Sequence, residues 1–454
     1  MAKVLISAIG VGLRKREYEP TTYKFLDSYE EYRTSFVAAA LCKHLKVDKL
    51  YLVGTAKSMW EEVYNYFARE ALQSVDSDYW HKLADKAEAF DVKNSKDGVN
   101  EKDLEELNKT IDNYLEKNRE NSGAYLVRES ASGGSKCFII NYGLDEVQLW
   151  NNFSTFMQIS NMLQEDDEVY LDITHAFRSI ALFNYITLDL IGILKFRKTF
   201  KLAGLFYGML DVKSELGYAP VVDLSHYYNL TQWARGAYNF INFGNGYILA
   251  DLFRAPELSE YIRNISEIVN INYIDEFKKN IDSLNTYLKM YSEKQTENFD
   301  PFAKYMIPYL LSFVERFRGI SSTGQLQLKL AEWYFDNKRY AQGYICLAES
   351  IITKFLEIYH KKDATITYKV ENRDKIKNLL RYKLNEGKYK KIYNVYKEIN
   401  YIRNTIAHAG YYANNKTFDE YIKNSYKYLN DVKKLIFYDK IIAEITQKYP
   451  FNTL

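Results

Sequence analysis

The first two hundred residues alternate short apolar runs with longer amphipathic stretches. Apolar runs at 3–8, 49–53, 138–142 and 168–173 have the length of buried strands, and the stretches at 35–45, 59–71 and 147–163 have helical spacing. Alternation of this kind predicts a Rossmann-like parallel α/β sheet. We also expect a hairpin-like segment at 23–29, a last strand segment at 200–210 and a stretch at 221–225 that closes the sheet.

From about residue 227 the pattern is helical to the end of the chain. Apolar residues recur at spacings of three and four over 258–269, 274–291, 305–318, 325–335 and 340–359. The sequence therefore predicts three segments. They are an α/β domain at 1–226, an all-α connector at 227–320 and an all-α domain at 321–454.

Composition narrows the class of protein. Of 454 residues, 47% are hydrophobic and 26% are charged, which is typical of a soluble globular protein. The net charge of +2 gives no bulk basic field, so any RNA or nucleotide site must be a local cleft. Cys42, Cys137 and Cys346 have neither zinc spacing nor a disulfide pattern. Without a signal-peptide layout or a membrane-spanning apolar run, we expect a cytoplasmic protein with no metal and no membrane partner.

One candidate binding site lies at the carboxyl ends of the predicted strands. Glycines follow the first strand, and hydroxyl, imidazole and guanidinium groups follow the strand at 168–173, just before a helix. Ligands of open α/β sheets bind at this edge, and a helix N-terminus there attracts phosphate. A plain glycine turn and a capped helix with a surface arginine would give the same pattern. The predicted binding residues are Gly10, Gly12, Thr174, His175, Arg178 and Ser179.

A second candidate site lies on a helix near the C-terminus. Its buried face is predicted from Ile392, Val395, Ile399, Ile402 and Ile406, and Gly410 is expected to end it.

Three polar side chains gather near the end of that helix. Asn404 and His408 are four residues apart and share a side, and Arg403 lies about 100° away. Arginine binds phosphate, histidine exchanges protons near neutral pH, and the amide can orient either group. These are the parts needed to cleave a phosphodiester without a metal. A helix end with structural hydrogen bonds would look the same.

Both motifs resemble those of a known family. Arg403, Asn404 and His408 match the R-N-x-x-x-H signature of HEPN ribonuclease domains. Segment 172–179, Asp-Ile-Thr-His-Ala-Phe-Arg-Ser, resembles the D-x-T-H-G-F-R-S segment of CRISPR-associated CARF–HEPN proteins, with Ala176 in place of the usual glycine. The start of the chain, with Gly10-x-Gly12, is similar to that group too.

The resemblance implies a CARF sensor domain joined to a HEPN effector domain. Such proteins bind a cyclic oligoadenylate made by a type III CRISPR complex and then cleave single-stranded RNA. Four adenylates are expected in the ring, with six the second choice. The family also implies a homodimer or a higher even oligomer, because two HEPN motifs form one composite site. The mechanism predicts 2′,3′-cyclic phosphate and 5′-hydroxyl ends.

Some interpretations stay open at this stage. Glu349 could pair with Arg403, but the sequence favours a partly exposed helix carboxylate. The lysines and tyrosines from 375 to 397 could line an RNA path or form a solvated basic face. The protein could also be a non-catalytic nucleotide-sensing regulator. Alternatively, its sensor domain could degrade the cyclic ligand through Thr174 and His175.

Overall fold

A computed structural model describes residues 2–10, 20–91, 97–121, 134–175, 185–186, 189–190, 200–293, 302–410 and 417–454. The chain forms two compact units, residues 1–229 and 230–454. The first contains a β-sheet with helices, and the second is helical. The predicted order, an α/β half followed by a helical half, is confirmed. The finer division at 226 and 320 stays a prediction.

Eight strands form one sheet in the described part of the first unit, in the order β3-β2-β8-β7-β6-β1-β4-β5. The strands are β1 Lys3–Ala8, β2 Thr21–Phe25, β3 Glu31–Thr34, β4 Lys49–Thr55, β5 Lys136–Ile140, β6 Glu168–Asp172, β7 Lys201–Gly208 and β8 Ala219–Asp223.

The centre of the sheet is parallel and one side is not. Strands β7, β6, β1, β4 and β5 run parallel to one another. On the other side β8 is antiparallel to β7 and parallel to β2, and β2 and β3 form an antiparallel hairpin. The expectation of a parallel sheet is therefore wrong for the β7–β8 and β2–β3 pairs. The connections within these two pairs are too short for the crossover that a parallel pair needs. The predicted hairpin is present, and the strand expected at 221–225 is present as β8, but it lies between β2 and β7 and does not close the sheet.

Apolar side chains cover both faces of the central strands. In β1, Leu5 packs in one cluster with Trp60 and Phe67, while Val4 and Ile6 pack in another with Phe156. Neighbouring residues of a strand point to opposite faces, so this strand is buried on both sides. The carboxyl ends of the strands are left as the place for polar groups. The described helices of this unit are Val37–Leu45, Trp60–Glu70, Ser77–Ala89, Glu105–Asn121, Glu146–Met162 and Lys213–Leu216.

The second unit is built around the helix Tyr340–Lys362, which we call the central helix. It packs against four later helices, and residues from Gly343 to Tyr359 form most of its buried surface. A π-helical turn, Leu379–Lys383, follows one of those four helices. The described helices from residue 225 onwards are Ser225–Phe243, Tyr247–Leu252, Pro256–Ile271, Phe277–Glu293, Ala303–Glu315, Thr323–Asp336, Tyr340–Lys362, Val370–Asn378, Lys390–Ala407, Phe418–Leu435 and Asp439–Lys448.

Across the residues that the structure describes, no helix has both the length and the apolar character needed to cross a membrane.

Candidate functional sites

A buried carboxylate organises the edge of the sheet where the first site was predicted. Asp172 ends β6 directly opposite Ser7 of β1, and the Ser7 hydroxyl donates a hydrogen bond to Asp172 Oδ2 at 2.5 Å. The Thr174 hydroxyl and amide both donate to Oδ1, at 2.5 and 2.9 Å. The Gly208 amide in turn donates to the Thr174 hydroxyl oxygen at 2.8 Å. Asp172 thereby links the ends of β1, β6 and β7.

The protonation of this edge is set mainly by burial. Asp172 is fully buried, and loss of solvent raises the pKa of its carboxyl, although His175 and the bonded hydroxyls oppose the change. Burial lowers the pKa of His175, against the attraction of Asp172. His175 is therefore favoured in its neutral form. Its Nε2 atom is buried and has no hydrogen-bond partner within the described residues, an arrangement that a bound ligand could satisfy.

The structure brings part of the predicted binding set together. Gly10 follows β1, and Thr174 and His175 follow β6, its parallel neighbour. Gly12, Arg178 and Ser179 lie outside the described residues, so half of the predicted site has no structural account. The sequence pattern did not single out Asp172 and Ser7 as organising residues. The signal was present, since an acidic residue that closes an apolar strand is a candidate for a buried, bonded carboxylate.

The second site lies on Lys390–Ala407, which we call the motif helix. Ile392, Val395, Ile399 and Ile402 are buried as predicted, and Ile406 is half-buried. The helix ends at Ala407, and His408 is its exposed C-terminal cap.

The predicted stop of this helix is also confirmed. Gly410 adopts a φ of 84°, and its amide donates to the Thr405 carbonyl at 2.8 Å.

Arg403 is held in place by two partners. Its Nη1 donates to Asn404 Oδ1 at 2.9 Å, and its Nη2 lies 3.3 Å from Glu349 Oε1 on the central helix. The other Glu349 oxygen pairs with Arg373 of the helix Val370–Asn378. The expectation that Glu349 is a plain helix carboxylate was therefore wrong. Its role depends on three helices packing together, which residue spacing along one helix does not reveal.

Positive charge is concentrated around this carboxylate. Burial is the largest influence on the pKa of Arg373 and lowers it. The negative charge of Asp275 raises this pKa, and the positive charge of Arg403 lowers it further. Tyr396 lies nearby, and burial raises its pKa against the charges of Arg381, Arg403 and Arg373. Three guanidinium groups thus surround one tyrosine, with Glu349 bonded to two of them. This is a local basic cleft in a chain whose net charge is only +2.

A pocket of about 330 Å³ opens beside the motif. It includes Asn404, so it adjoins the residues that hold Arg403. Only part of the basic and aromatic stretch at 375–397 lines this pocket. Lys375 instead lies over the Phe451 ring, and Lys388 pairs with Glu444. The lining residues are Arg381, Tyr382, Tyr393, Tyr396, Lys397, Asn400, Tyr401 and Asn404.

No metal site emerges from the described residues. They contain no group of three or more histidine, cysteine, aspartate or glutamate side chains that could hold an ion. The three cysteines are buried and unbridged.

Comparison with known proteins assigns the family. The chain is 38% identical over 462 aligned residues to the CRISPR-associated protein MJ1674 of Methanocaldococcus jannaschii, covering 98% of this chain and 68% of that protein. The chain belongs to the MJ1674 family of CRISPR-associated proteins. Residues 229–322 match the family model of the second domain of MJ1674. Residues 4–211 match the CARF domain of the CRISPR system endoribonuclease Csx1.

The chain also aligns with a solved structure. Enterococcus italicus Csm6 bound to cyclic hexa-2′-fluoro-hexa-dAMP aligns with a TM-score of 0.41 and 12% identity, covering 100% of this chain and 96% of that one. The family assignment and the domain match at 4–211 confirm the predicted CARF domain of a CRISPR-associated protein. The HEPN assignment of the C-terminal helices stays a prediction.

Proposed function

We propose that this chain is an endoribonuclease of type III CRISPR defence that is switched on by a cyclic oligoadenylate and needs no metal. One observation carries the proposal: Arg403 is fixed by Glu349 and Asn404 at a helix end that also presents an exposed His408. The match to the CARF domain of an endoribonuclease family supports the sensor half.

In this proposal Arg403 binds the scissile phosphate and stabilises the charge that develops on it. The ribose 2′-oxygen attacks phosphorus and gives up its proton, and the bond from phosphorus to the 5′-oxygen breaks as that oxygen gains a proton. His408 carries one of these two proton transfers. The products are a 2′,3′-cyclic phosphate and a 5′-hydroxyl. Asn404 keeps the arginine in line, and two copies of the motif meet in a homodimer.

The sensor site consists of the predicted set Gly10, Gly12, Thr174, His175, Arg178 and Ser179. The Thr174 hydroxyl already bridges Asp172 and Gly208, so Thr174 acts by shaping the loop. His175 offers a buried nitrogen to the ligand. A ring with rotational symmetry can be contacted equivalently by two protomers. We favour cyclic tetra-adenylate over cyclic hexa-adenylate on the family resemblance.

The test is an RNA cleavage assay with the full chain. Labelled single-stranded RNA is incubated alone, with cyclic tetra-adenylate, or with cyclic hexa-adenylate, each with and without EDTA. We expect cleavage that depends on one ring size, persists in EDTA and leaves 2′,3′-cyclic phosphate ends. The His408→Ala variant should cut at least 100-fold more slowly. Cleavage that EDTA abolishes would refute the mechanism, and no cleavage with any ring would favour the non-catalytic regulator.

The buried His175 nitrogen also favours a second candidate activity, slow degradation of the cyclic ligand by the sensor domain. The His408→Ala variant isolates it, because RNA cleavage is then removed. Cyclic adenylate is followed over hours with this variant and with the double variant that also carries His175→Ala. Loss of ligand in the first and not in the second would support the activity, and stable ligand in both would exclude it.

A further inference from the structure

The pocket beside the motif has two distinct walls. One is a stripe of the motif helix, formed by Tyr393, Tyr396, Asn400 and Asn404 at spacings of three and four. The other is the π-helical turn Leu379–Lys383, which supplies Arg381 and Tyr382. Turns of this kind are rare and are found disproportionately at functional sites.

One buried polar group on the helical wall lacks a partner within the described residues. Tyr396 is only 1% exposed, and its hydroxyl makes no hydrogen bond of ordinary geometry there, although the Arg381 guanidinium lies near it. Asn400 is half-buried one helical turn further on and also lines the pocket. Buried polar groups are normally paired, so the Tyr396 hydroxyl indicates a site that a ligand completes.

The remaining lining favours a nucleotide as that ligand. Tyr382, Tyr393 and Tyr401 provide aromatic faces, and Arg381 and Lys397 provide positive charge. Lys397 Nζ lies 5.9 Å from the centre of the Tyr393 ring. Aromatic faces stack on bases and cations track phosphates in sites for single strands. The volume of about 330 Å³ is within the range of small-ligand pockets.

We infer that this pocket binds the base of a nucleotide adjoining the scissile phosphate of single-stranded RNA. The Tyr396 hydroxyl and the Asn400 amide hydrogen-bond to the edge of that base, and Arg381 and Lys397 hold the neighbouring phosphates. Cleavage is therefore selective for the base at one position beside the cut. This inference rests on the proposed ribonuclease function and adds a specificity site to it.

Tyr396→Phe tests the role of the hydroxyl alone. Removing an unpartnered buried hydroxyl should leave the melting temperature unchanged or higher. If the hydroxyl contacts the base, the same change should weaken selectivity. Tyr359→Phe is the matched control, because Tyr359 is also buried but its hydroxyl donates to the Tyr449 carbonyl at 2.6 Å. It should lower the melting temperature without altering selectivity.

The assay uses activated full chain and four single-stranded RNAs that differ in the base at one position, shifted along the strand in separate sets. We expect wild type to favour one base beside the cut by about tenfold in kcat/KM. Tyr396→Phe and Asn400→Ala should reduce that ratio to about threefold or less. Arg381→Ala should raise KM about tenfold for all four RNAs, whereas Arg318→Ala, which removes a surface ion pair with Glu315, should not.

Failure of the inference can be told from failure of the proposed function. The same four RNAs, labelled with fluorescein, are titrated with the His408→Ala protein, and affinity is read by anisotropy. Base-dependent affinity that Tyr396→Phe removes supports the pocket even if wild type cuts nothing. Equal selectivity in wild type and both variants overturns the inference. So does a change in oligomer mass on Asn400→Ala with unchanged RNA affinity, which would assign the pocket to a second copy of the chain.

Discussion

Glu349 shows how one side chain can set the geometry of another. Its carboxylate lies between Arg403 and Arg373, so it fixes the plane of the guanidinium that we propose to hold phosphate. Glu349→Gln keeps the size of the side chain but removes its charge. We expect RNA cleavage to fall about tenfold, mainly in kcat, with little change in KM.

Glu332→Gln is the matched control for this change. Glu332 is a helix carboxylate of similar exposure, 28% against 21%, that also lies between two cations, Lys329 and Lys433. The two substitutions should lower thermal stability to a similar, small extent. Equal losses of cleavage in both would show that Glu349 acts only through the fold.

His175 makes the stability of the first unit depend on pH. Burial puts its folded-state pKa below the unfolded value of about 6.5. Between these two pKa values the unfolded chain binds more protons than the folded chain. The free energy of unfolding therefore rises as pH rises and decreases as pH falls. Asp172 has the opposite effect on the pH dependence of stability, because its pKa is raised in the folded state and the folded state is therefore favoured at acid pH.

We therefore expect His175→Gln to gain stability relative to wild type as pH is lowered from about 7.5 to 5.5. The measurement is the difference in melting temperature between the two proteins at each pH. A difference that stays constant over this range would mean that proton uptake by His175 does not contribute.

At the scale of elements, the motif helix was predictable because its signals are local. Apolar spacing predicted its buried face, and Gly410 predicted its end. The arginine cluster was not predictable in the same way. Glu349, Arg373 and Arg381 come from separate segments and meet Arg403 or Tyr396 only through packing. The π-helical turn, which supplies one wall of the pocket, likewise has no simple periodic signal.

Substitutions at two adjacent residues after the motif helix should change the stability of the protein in opposite directions. Ala409 and Gly410 both have positive φ, 52° and 84°, and both are exposed. Gly410→Ala should destabilise the protein by about 1 kcal/mol through backbone strain alone, since a Cβ there would meet no atom within 4 Å. Ala409→Gly should stabilise it slightly, by up to about 1 kcal/mol.

Urea unfolding of the two variants measures both effects. Destabilisation by both changes would show that side-chain contacts, and not the left-handed backbone, determine this helix end. Because His408 immediately precedes these residues, the more stable variant should also retain RNA cleavage if the helix end only positions the imidazole.

At the scale of the whole chain, the order of secondary structure was predictable and the sheet topology was only partly so. Alternating strands and helices specified the parallel centre. The other side depends on β8 turning back antiparallel beside β7 after a short connection, and on β2 joining β8 from a distant part of the chain. The net charge of the whole chain did not predict the basic cleft beside the motif helix either, because a total of only +2 gives no sign of a local cluster of arginines.

The proposed composite site makes a prediction that only the assembled protein can satisfy. If two copies of the motif form one site, a dimer of one His408→Ala chain and one wild-type chain should be inactive. In an equal mixture with random pairing, about a quarter of the dimers contain two wild-type chains. Activity per total chain should therefore fall to about a quarter of the wild-type value, after incubation long enough for subunits to exchange.

An equal mixture of wild type with Lys278→Ala, a surface change on the helix Phe277–Glu293, should keep full activity. If each chain cuts RNA alone, the His408→Ala mixture would instead retain half.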